Sequence, residues 1–212
     1  MRGWGNKGGN DADGKKTEEQ YALFVLKNCV DSRLIADEKH KGESPDWQFD
    51  ELDLGIEITK ALSKEQGKRQ HFAATFLDLE TPEEKDAYLR RKPSIAEKTV
   101  DGHYFTYQDF RGDYECANIY HAIERKTKLL QQGFKRYGDN WLFVFSDLPM
   151  LNEEDLKDVC DRWKDSPVEG FQFHKVFLCE SNQLYVLKEM KDIDRIEIPT
   201  QIICKGKLLF QN

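Results

Sequence analysis

The amino-acid sequence predicts an α/β domain in which a mixed central sheet is flanked by helices, and three observations carry that prediction. The segment "WLFVFSD" at 141–147 is a continuous apolar run, which is typical of a strand covered on both faces. Segments with helical periodicity lie on either side of it, so that helices and strands alternate along the chain. With 212 residues, of which 39% are hydrophobic, the chain is long enough for one substantial core.

The first part of the chain predicts a helix followed by a β-hairpin. Residues 1–16 are rich in Gly, Asn and Lys, and we expect a flexible tail there, because such a composition cannot offset the entropy lost on ordering. The helix is predicted to begin at Thr17, since "TEEQ" matches a capping box, and to end near Asp31. One strand is expected at 46–49 and a second at 54–59, joined by a turn through "DELD".

The rest of the chain is predicted to add an elaboration and to complete the sheet. The elaboration spans about 61–112 and includes a helix opened by Pro82. A long helix is expected from about 113 to 137, ahead of the buried strand. Later elements are a helix at "NEEDLKDVCDRW", strands at "QFHKVFLC" and "QLYVLK", and short β-like runs from Ile196. Residues 17–212 are therefore expected to form a single domain.

Charge and cysteine usage narrow the class of protein. The formal net charge of −7 gives an average field that repels nucleic acid, so that any phosphate contact needs a locally basic patch. The five cysteines are scattered without a CxxC pair, which indicates reduced thiols, a cytoplasmic protein and no structural zinc. No apolar run approaches the roughly 18 to 20 residues of a membrane span. The histidines show no zinc-binding spacing.

The strand predicted at 54–59 has two different faces, because side chains alternate along a strand. Its apolar face carries Leu54, Ile56 and Ile58, and its other face carries Gly55, Glu57 and Thr59. Glu57 and Thr59 must therefore project together. Gly55 leaves room for a close approach beside them, which we attribute to a metal ion or to water.

Lys126 lies in the middle of the apolar stripe of the long predicted helix. On a helical wheel at about 100° per residue, the positions that fall near it are Ile119, Ala122, Ile123, Leu129, Leu130 and Gly133. A lysine is rarely buried without a partner, so we expect a carboxylate at this interface, with Glu57 and Asp46 as the candidates. The alternative is a side chain that extends from the edge of the interface to solvent.

The segments "PDW" at 45–47 and "GIEIT" at 55–59 lie between a helix that carries glutamates and a helix that is followed by a buried strand. This arrangement resembles the PD-(D/E)XK nuclease superfamily. The resemblance implies a restriction-endonuclease-like fold over about 17–190, with Asp46 and Glu57 as ligands of Mg²⁺ or Mn²⁺. The family's motif lysine would stand where this chain has Thr59. Some members carry that lysine on the following helix, and Lys126 matches this arrangement.

Further site residues follow from the same resemblance. The implied metal set also includes Ile58 and, from the first helix, Glu18 or Glu19, although complementing the helix dipole would explain the two glutamates equally well. Thr59 would hydrogen-bond a water molecule in the site. Lys60 is the other candidate for the catalytic lysine, but as the strand neighbour of Thr59 it should point to the opposite face.

The resemblance implies a Mg²⁺-dependent endonuclease that hydrolyses phosphodiester bonds in nucleic acid, with DNA as the expected substrate. Nucleic-acid contacts are assigned to Lys64, Lys68, Arg69, Arg90 and Arg91, near the aromatic residues Tyr104, Phe105 and Tyr107. Solvated helix faces would explain the same charges. Many relatives act as dimers, which leaves a homodimer or another protein partner open.

Two other classes of protein fit the same residues. A protein that keeps the nuclease fold without the chemistry, such as an inhibitor or an immunity-type binding protein, would account for the acidic balance and for Thr59. A structural scaffold would leave Asp46 as a turn residue and Glu57 as a solvent-facing strand residue. Convergence of Asp46, Glu57 and Lys126 would favour the enzyme over both.

Overall fold

Helices and strands alternate in the computed structural model, which describes residues 10–35, 37, 40–62, 72, 75–92, 96–98, 100–106, 116–146, 151–165, 172–180, 182–188 and 192–204. The helices are α1 (Asn10–Cys29), α2 (Pro82–Arg91), α3 (Cys116–Gln132) and α4 (Glu153–Lys164). The strands are β1 (Trp47–Phe49), β2 (Leu54–Ala61), β3 (Ala96–Lys98), β4 (Tyr104–Thr106), β5 (Asp139–Ser146), β6 (Lys175–Glu180), β7 (Gln183–Lys188) and β8 (Asp192–Glu197). A 3-10 turn at Asp50–Leu52 joins β1 to β2.

Within the described residues, one mixed, open sheet has the strand order β1-β2-β5-β6-β7-β8. Strands β2, β5 and β6 run parallel, and β1, β7 and β8 are added antiparallel at the two sides. The connections between the parallel strands contain α3 and α4, because parallel strands need a crossover. The predicted α/β class with a mixed central sheet is confirmed. Strands β3 and β4 form a separate two-stranded sheet.

Buried apolar side chains cover both faces of the main sheet. One cluster joins α1 to the apolar face of β2 and includes Phe143. The other joins α3 and α4 to the opposite face and includes Leu142 and Val144. Strand β5 is therefore buried on both faces, as its continuous apolar run predicts.

The N-terminal helix is longer than predicted. It begins at Asn10 rather than at Thr17, so that residues 10–16, which are expected in a flexible tail, are helical. Residues 1–9 lie outside the described part of the chain. Once the apolar segment has nucleated the helix, each further residue adds one backbone hydrogen bond, and the helix therefore extends past the predicted cap.

Two other element boundaries differ from the prediction. Helix α3 ends at Gln132 instead of near residue 137, because it is followed by Gly133, which is a poor helix former. Strand β8 starts at Asp192, ahead of the short runs predicted from Ile196. Most of its side chains are exposed and charged, as is common in edge strands, so the apolar alternation that marks a half-buried strand is missing.

The elaboration contains the predicted helix and a small sheet. Pro82 opens α2, and Thr81 with Glu84 forms a capping box at its start. The Tyr104 hydroxyl of β4 donates to Asp86 Oδ1 of α2 at 2.6 Å, and its ring packs edge-on against Phe76. The elaboration thus has a minor aromatic core of its own.

The cysteines are free thiols, and none of them forms a disulfide. Burial raises the pKa of Cys160 to about 11 and that of Cys179 to about 12, so these thiols are poor nucleophiles at neutral pH. None of the described helices has the length and apolar character needed to cross a bilayer.

Candidate functional site

The β1–β2 hairpin brings two carboxylates together. Asp46 directly precedes β1, and because Trp47 pairs with Ile56, Asp46 lies opposite Glu57. The Asp46 backbone amide donates to Glu57 Oε2 at 3.3 Å, and the Ile58 amide donates to Asp46 Oδ2 at 2.8 Å. Asp46 and Glu57 are each 2% exposed. Two buried carboxylates are thus held side by side by backbone amides.

Ile58 contributes to this place through its backbone. In an antiparallel pair, a hydrogen-bonded residue directs both its N–H and its C=O to the same neighbouring strand. Since the Ile58 amide meets Asp46, the Ile58 carbonyl lies on the same side. The side chain itself is buried in the cluster beneath α1. What Ile58 can offer to a metal ion is therefore a carbonyl oxygen.

Lys126 of α3 supplies a positive charge to the pair of carboxylates. Its Nζ donates to Glu57 Oε1 in an ion pair. The Lys126 side chain is 15% exposed and that of Glu57 is 3% exposed, so that solvent screens the pair little. The prediction that a lysine in this apolar stripe meets a carboxylate is confirmed. The stripe is narrower than predicted on one side, where Leu129 is exposed.

Glu57 holds its proton more tightly than an ordinary glutamate. Burial raises its pKa to about 7, and the negative charge of Asp46 acts in the same direction. The ion pair with Lys126 and the Asp46 amide hydrogen bond lower the pKa, but by less. A strongly perturbed carboxyl with a specific charged partner is typical of functional sites.

Thr59 projects from β2 on the same face as Glu57, as the alternation of the strand predicts. Its buried hydroxyl accepts a hydrogen bond from Arg125 Nη2 at 2.9 Å. Helix α3 therefore presents two consecutive cations, Arg125 and Lys126, to one face of β2. The sequence analysis missed Arg125, because an arginine at the border of an apolar stripe cannot be distinguished by periodicity from one on the solvated face.

Two lysine–glutamate pairs lie on the α1 side of the hairpin. Lys60 pairs with Glu18 on α1, so its side chain points away from Glu57, as predicted. Glu19 is 5% exposed, and its Oε2 lies 3.4 Å from Lys41 Nζ. The structure thus places both predicted helix glutamates beside lysines, and it leaves Lys126 as the lysine that reaches the carboxylates.

Gly55 makes room for a tyrosine and a proline. A Cβ atom at this position would lie 2.7 Å from Tyr137 Cδ2 and 2.8 Å from Pro45 Cγ. Tyr137 is buried, and its hydroxyl donates to Asp50 Oδ1 at 2.8 Å. The expectation that a metal ion or water approaches Gly55 is therefore wrong. The ring instead bounds the site on the side that precedes Glu57.

The donor set fits a magnesium-type cation. Asp46 and Glu57 offer carboxylate oxygens, and Mg²⁺ is usually held by one or two carboxylates while waters and substrate phosphates complete its shell. In the part of the chain that the structure describes, no group of three or more His, Cys, Asp or Glu side chains is placed to hold a metal ion. Two carboxylates with a nearby carbonyl suit an ion that shares its shell with substrate better than a caged structural ion.

The predicted nucleic-acid contacts fall only partly within the described residues. Lys64, Lys68, Arg69 and Tyr107 lie outside them. Arg90 and Arg91 are exposed in the last turn of α2. Tyr104 packs in the minor aromatic core, which is the alternative to base stacking.

Comparisons with protein-family models, with curated proteins and with solved structures find no match to this chain. Function must therefore be inferred from the chemistry of the site, as is required even where a fold is shared.

Proposed function

We propose that this protein is a Mg²⁺-dependent nuclease of the PD-(D/E)XK type, which hydrolyses phosphodiester bonds in nucleic acid, with DNA as the first candidate substrate. The observation that carries the proposal is the convergence of Asp46, Glu57 and Lys126 on one buried place. Two adjacent buried carboxylates with a single lysine are costly for stability, since burying charge is unfavourable unless it is fully compensated. Such a cost is expected where a site must bind a cation.

A restriction-endonuclease-like fold is part of the same proposal. The acidic residues lie on a hairpin that follows α1 and precedes α3 and the parallel strand β5. This is the order of elements that the sequence resemblance implies. The support comes from element order and from the position of the site on β2.

The residues divide the chemical work between them. Asp46 and Glu57 hold the ion, with the Ile58 carbonyl beside them. When bound, Mg²⁺ supplies a Lewis acid that polarises the scissile phosphate. Hydrolysis forms one bond from phosphorus to the oxygen of a water molecule and breaks one phosphorus–oxygen ester bond. The water gives up a proton, and the leaving alkoxide takes one from solvent.

Lys126 replaces the motif lysine from a different element. Its ammonium has three N–H donors, and one of them goes to Glu57. The others can orient the attacking water or offset the charge that builds on the phosphate. Because Lys126 reaches the same strand face as Thr59, the absence of a lysine at position 59 does not leave the site without a cation.

A cleavage assay tests the proposal. Wild-type protein, Glu57→Gln and Lys126→Met are incubated with single- and double-stranded DNA and RNA in Mg²⁺, Mn²⁺ or chelator. We expect cleavage that requires the ion and falls by about 10²-fold or more in each variant, the usual effect of removing one group that stabilises transition-state charge. Lys60→Met is the matched control, because it removes a lysine from the other face of β2.

Failure to cut any substrate would overturn the nuclease proposal, as would equal cleavage by wild type and Glu57→Gln. The alternative is then a catalytically inactive binding or inhibitor protein with this fold, in which the buried charges have a structural role only. Loss of activity in Lys60→Met but not in Lys126→Met would assign the catalytic lysine to the strand.

A further inference from the structure

Arg125 lies at the rim of the candidate site and has no role in the scheme above. Its side chain is exposed, yet its guanidinium is anchored by the bond from Nη2 to the buried Thr59 hydroxyl. Thr59 is two residues from Glu57 on β2, a separation of roughly 6.5 Å along a strand. The guanidinium is therefore held within one strand step of the pair of carboxylates.

The partner of this guanidinium is neutral, in contrast to the partners of the cations beside it. Lys126 pairs with Glu57, and Lys128 of the same helix pairs with Glu124. Arg125 bonds a hydroxyl instead, and no described carboxylate lies within ion-pair distance of it. Thr59 uses one of the five N–H donors of the guanidinium. The remaining donors form a fork that suits the oxygens of a phosphate group.

The charge balance of the site favours an anion next to Arg125. The carboxylates of Asp46 and Glu57 match the charge of one divalent ion. Once that ion is bound, the positive charges of Lys126 and Arg125 remain uncompensated. A phosphodiester brings the negative charge that this arrangement lacks, and its non-bridging oxygens accept hydrogen bonds from a guanidinium.

We propose that Arg125 binds a phosphate group of the nucleic-acid substrate at the metal site, and that Thr59 is the positioning residue that holds the guanidinium there. This inference rests on the proposed nuclease function. It gives position 59 a use other than that of the motif lysine. The rival explanation is a surface arginine whose bond to Thr59 only helps to pack α3 against β2.

Binding and cleavage together separate these explanations. Binding of a labelled oligonucleotide is followed by fluorescence anisotropy in Mg²⁺ at several salt concentrations, in the Lys126→Met background, where the carboxylates are kept and cleavage is suppressed. Adding Arg125→Gln should lower the slope of log affinity against log salt by about 1, as expected for the loss of one phosphate contact. Adding Arg162→Gln, which removes an arginine that pairs with Asp158 on α4, should leave the slope unchanged.

Cleavage kinetics add a second readout that packing alone would not change. With Lys126 intact, Arg125→Gln should lower kcat by about 10²-fold, and Arg125→Lys should keep the salt slope while losing kcat, because lysine keeps the charge without the fork. Thr59→Val should lower kcat less than Arg125→Gln, since the charge remains. Thermal midpoints should stay unchanged in the Arg125 variants, because the side chain is exposed.

The outcomes distinguish the inference from the function on which it rests. If the wild-type protein neither cuts nor binds any oligonucleotide, the nuclease proposal fails and the role of Arg125 fails with it. If the wild-type protein cuts and Arg125→Gln changes neither kcat nor the salt slope, only the role of Arg125 is overturned. A salt slope that changes equally in Arg162→Gln would also overturn it, because the effect would then be one of overall charge.

Discussion

Glu57→Gln tests how strongly the fold disfavours a negative charge at position 57. The pKa of this carboxyl is about 7 in the folded protein, against 4.5 for an unperturbed glutamate. One pKa unit corresponds to about 1.4 kcal/mol, so the shift amounts to roughly 3 kcal/mol. Because the folded protein binds the proton more tightly than the unfolded chain, this stability is fully present below pH 4.5 and is lost as the pH rises through 7.

Glutamine keeps the shape of the side chain without its charge, so the variant does not lose this contribution at high pH. The free energy of unfolding of Glu57→Gln, minus that of wild type, should therefore rise by about 2 to 3 kcal/mol between roughly pH 5 and pH 8.5. A constant cost of about 1 kcal/mol is expected at every pH, because glutamine can accept from only one of its two donors, Lys126 and the Asp46 amide. The change with pH is the quantity that tests the reasoning.

Urea unfolding followed by tryptophan fluorescence measures this change, in buffers with chelator so that no ion binds the carboxylates. Glu18→Gln is the matched control, because it removes a glutamate that pairs with Lys60 on the other face of β2. A pH dependence shared by both variants would come from the overall charge of the protein. A stability difference for Glu57→Gln that stays flat from pH 5 to 8.5 would show that Lys126 keeps Glu57 ionised, and the conclusion that burial dominates would be wrong.

Metal binding, packing and helix capping can each be tested by one substitution. Mg²⁺ should raise the thermal midpoint more at pH 8 than at pH 6, because it must displace the proton of Glu57, and Asp46→Asn should abolish the rise; an equal rise in this variant would contradict the site. Gly55→Ala should cost about 1 to 3 kcal/mol in urea unfolding, because its Cβ overlaps the neighbouring ring. Gly133→Ala, with nothing within 4 Å, should cost nothing, and equal losses would refute the packing argument. Asn152→Ala removes the side-chain cap of α4 and should lower stability by about 1 kcal/mol, whereas unchanged unfolding would show that the cap contributes nothing.

The two faces of β2 and the inward face of α3 could be predicted because they depend on local periodicity alone. A strand alternates every residue whatever surrounds it, which separates Ile56 and Ile58 from Glu57 and Thr59. A helix repeats every 3.6 residues, which places Lys126 within the apolar stripe. The need of a buried lysine for a carboxylate then follows from the cost of burying charge. The contact between Lys126 and Glu57 was therefore accessible before the structure was known.

Other features of the site depend on which elements meet, and local patterns do not carry that information. The neighbours of Gly55 are Pro45, which comes ten residues earlier, and Tyr137, which comes from the segment after α3. The bond from Arg125 to Thr59 joins residues 66 positions apart, and nothing in either local segment distinguishes this arginine from a solvated one. The start of α1 at Asn10 reflects the cooperative extension of a nucleated helix, which the capping-box signal at Thr17 conceals.

The sequence is sufficient for the class of the fold, for the orientation of β2 and α3, and for the acidic and basic residues that these elements turn towards each other, because each of these depends on the spacing of residues within one segment. The pKa of Glu57, the place of Arg125 and the occupant of the space beside Gly55 required the folded chain. They depend on burial and on distances between segments far apart in sequence, and the strength of an electrostatic interaction is set by that burial and those distances.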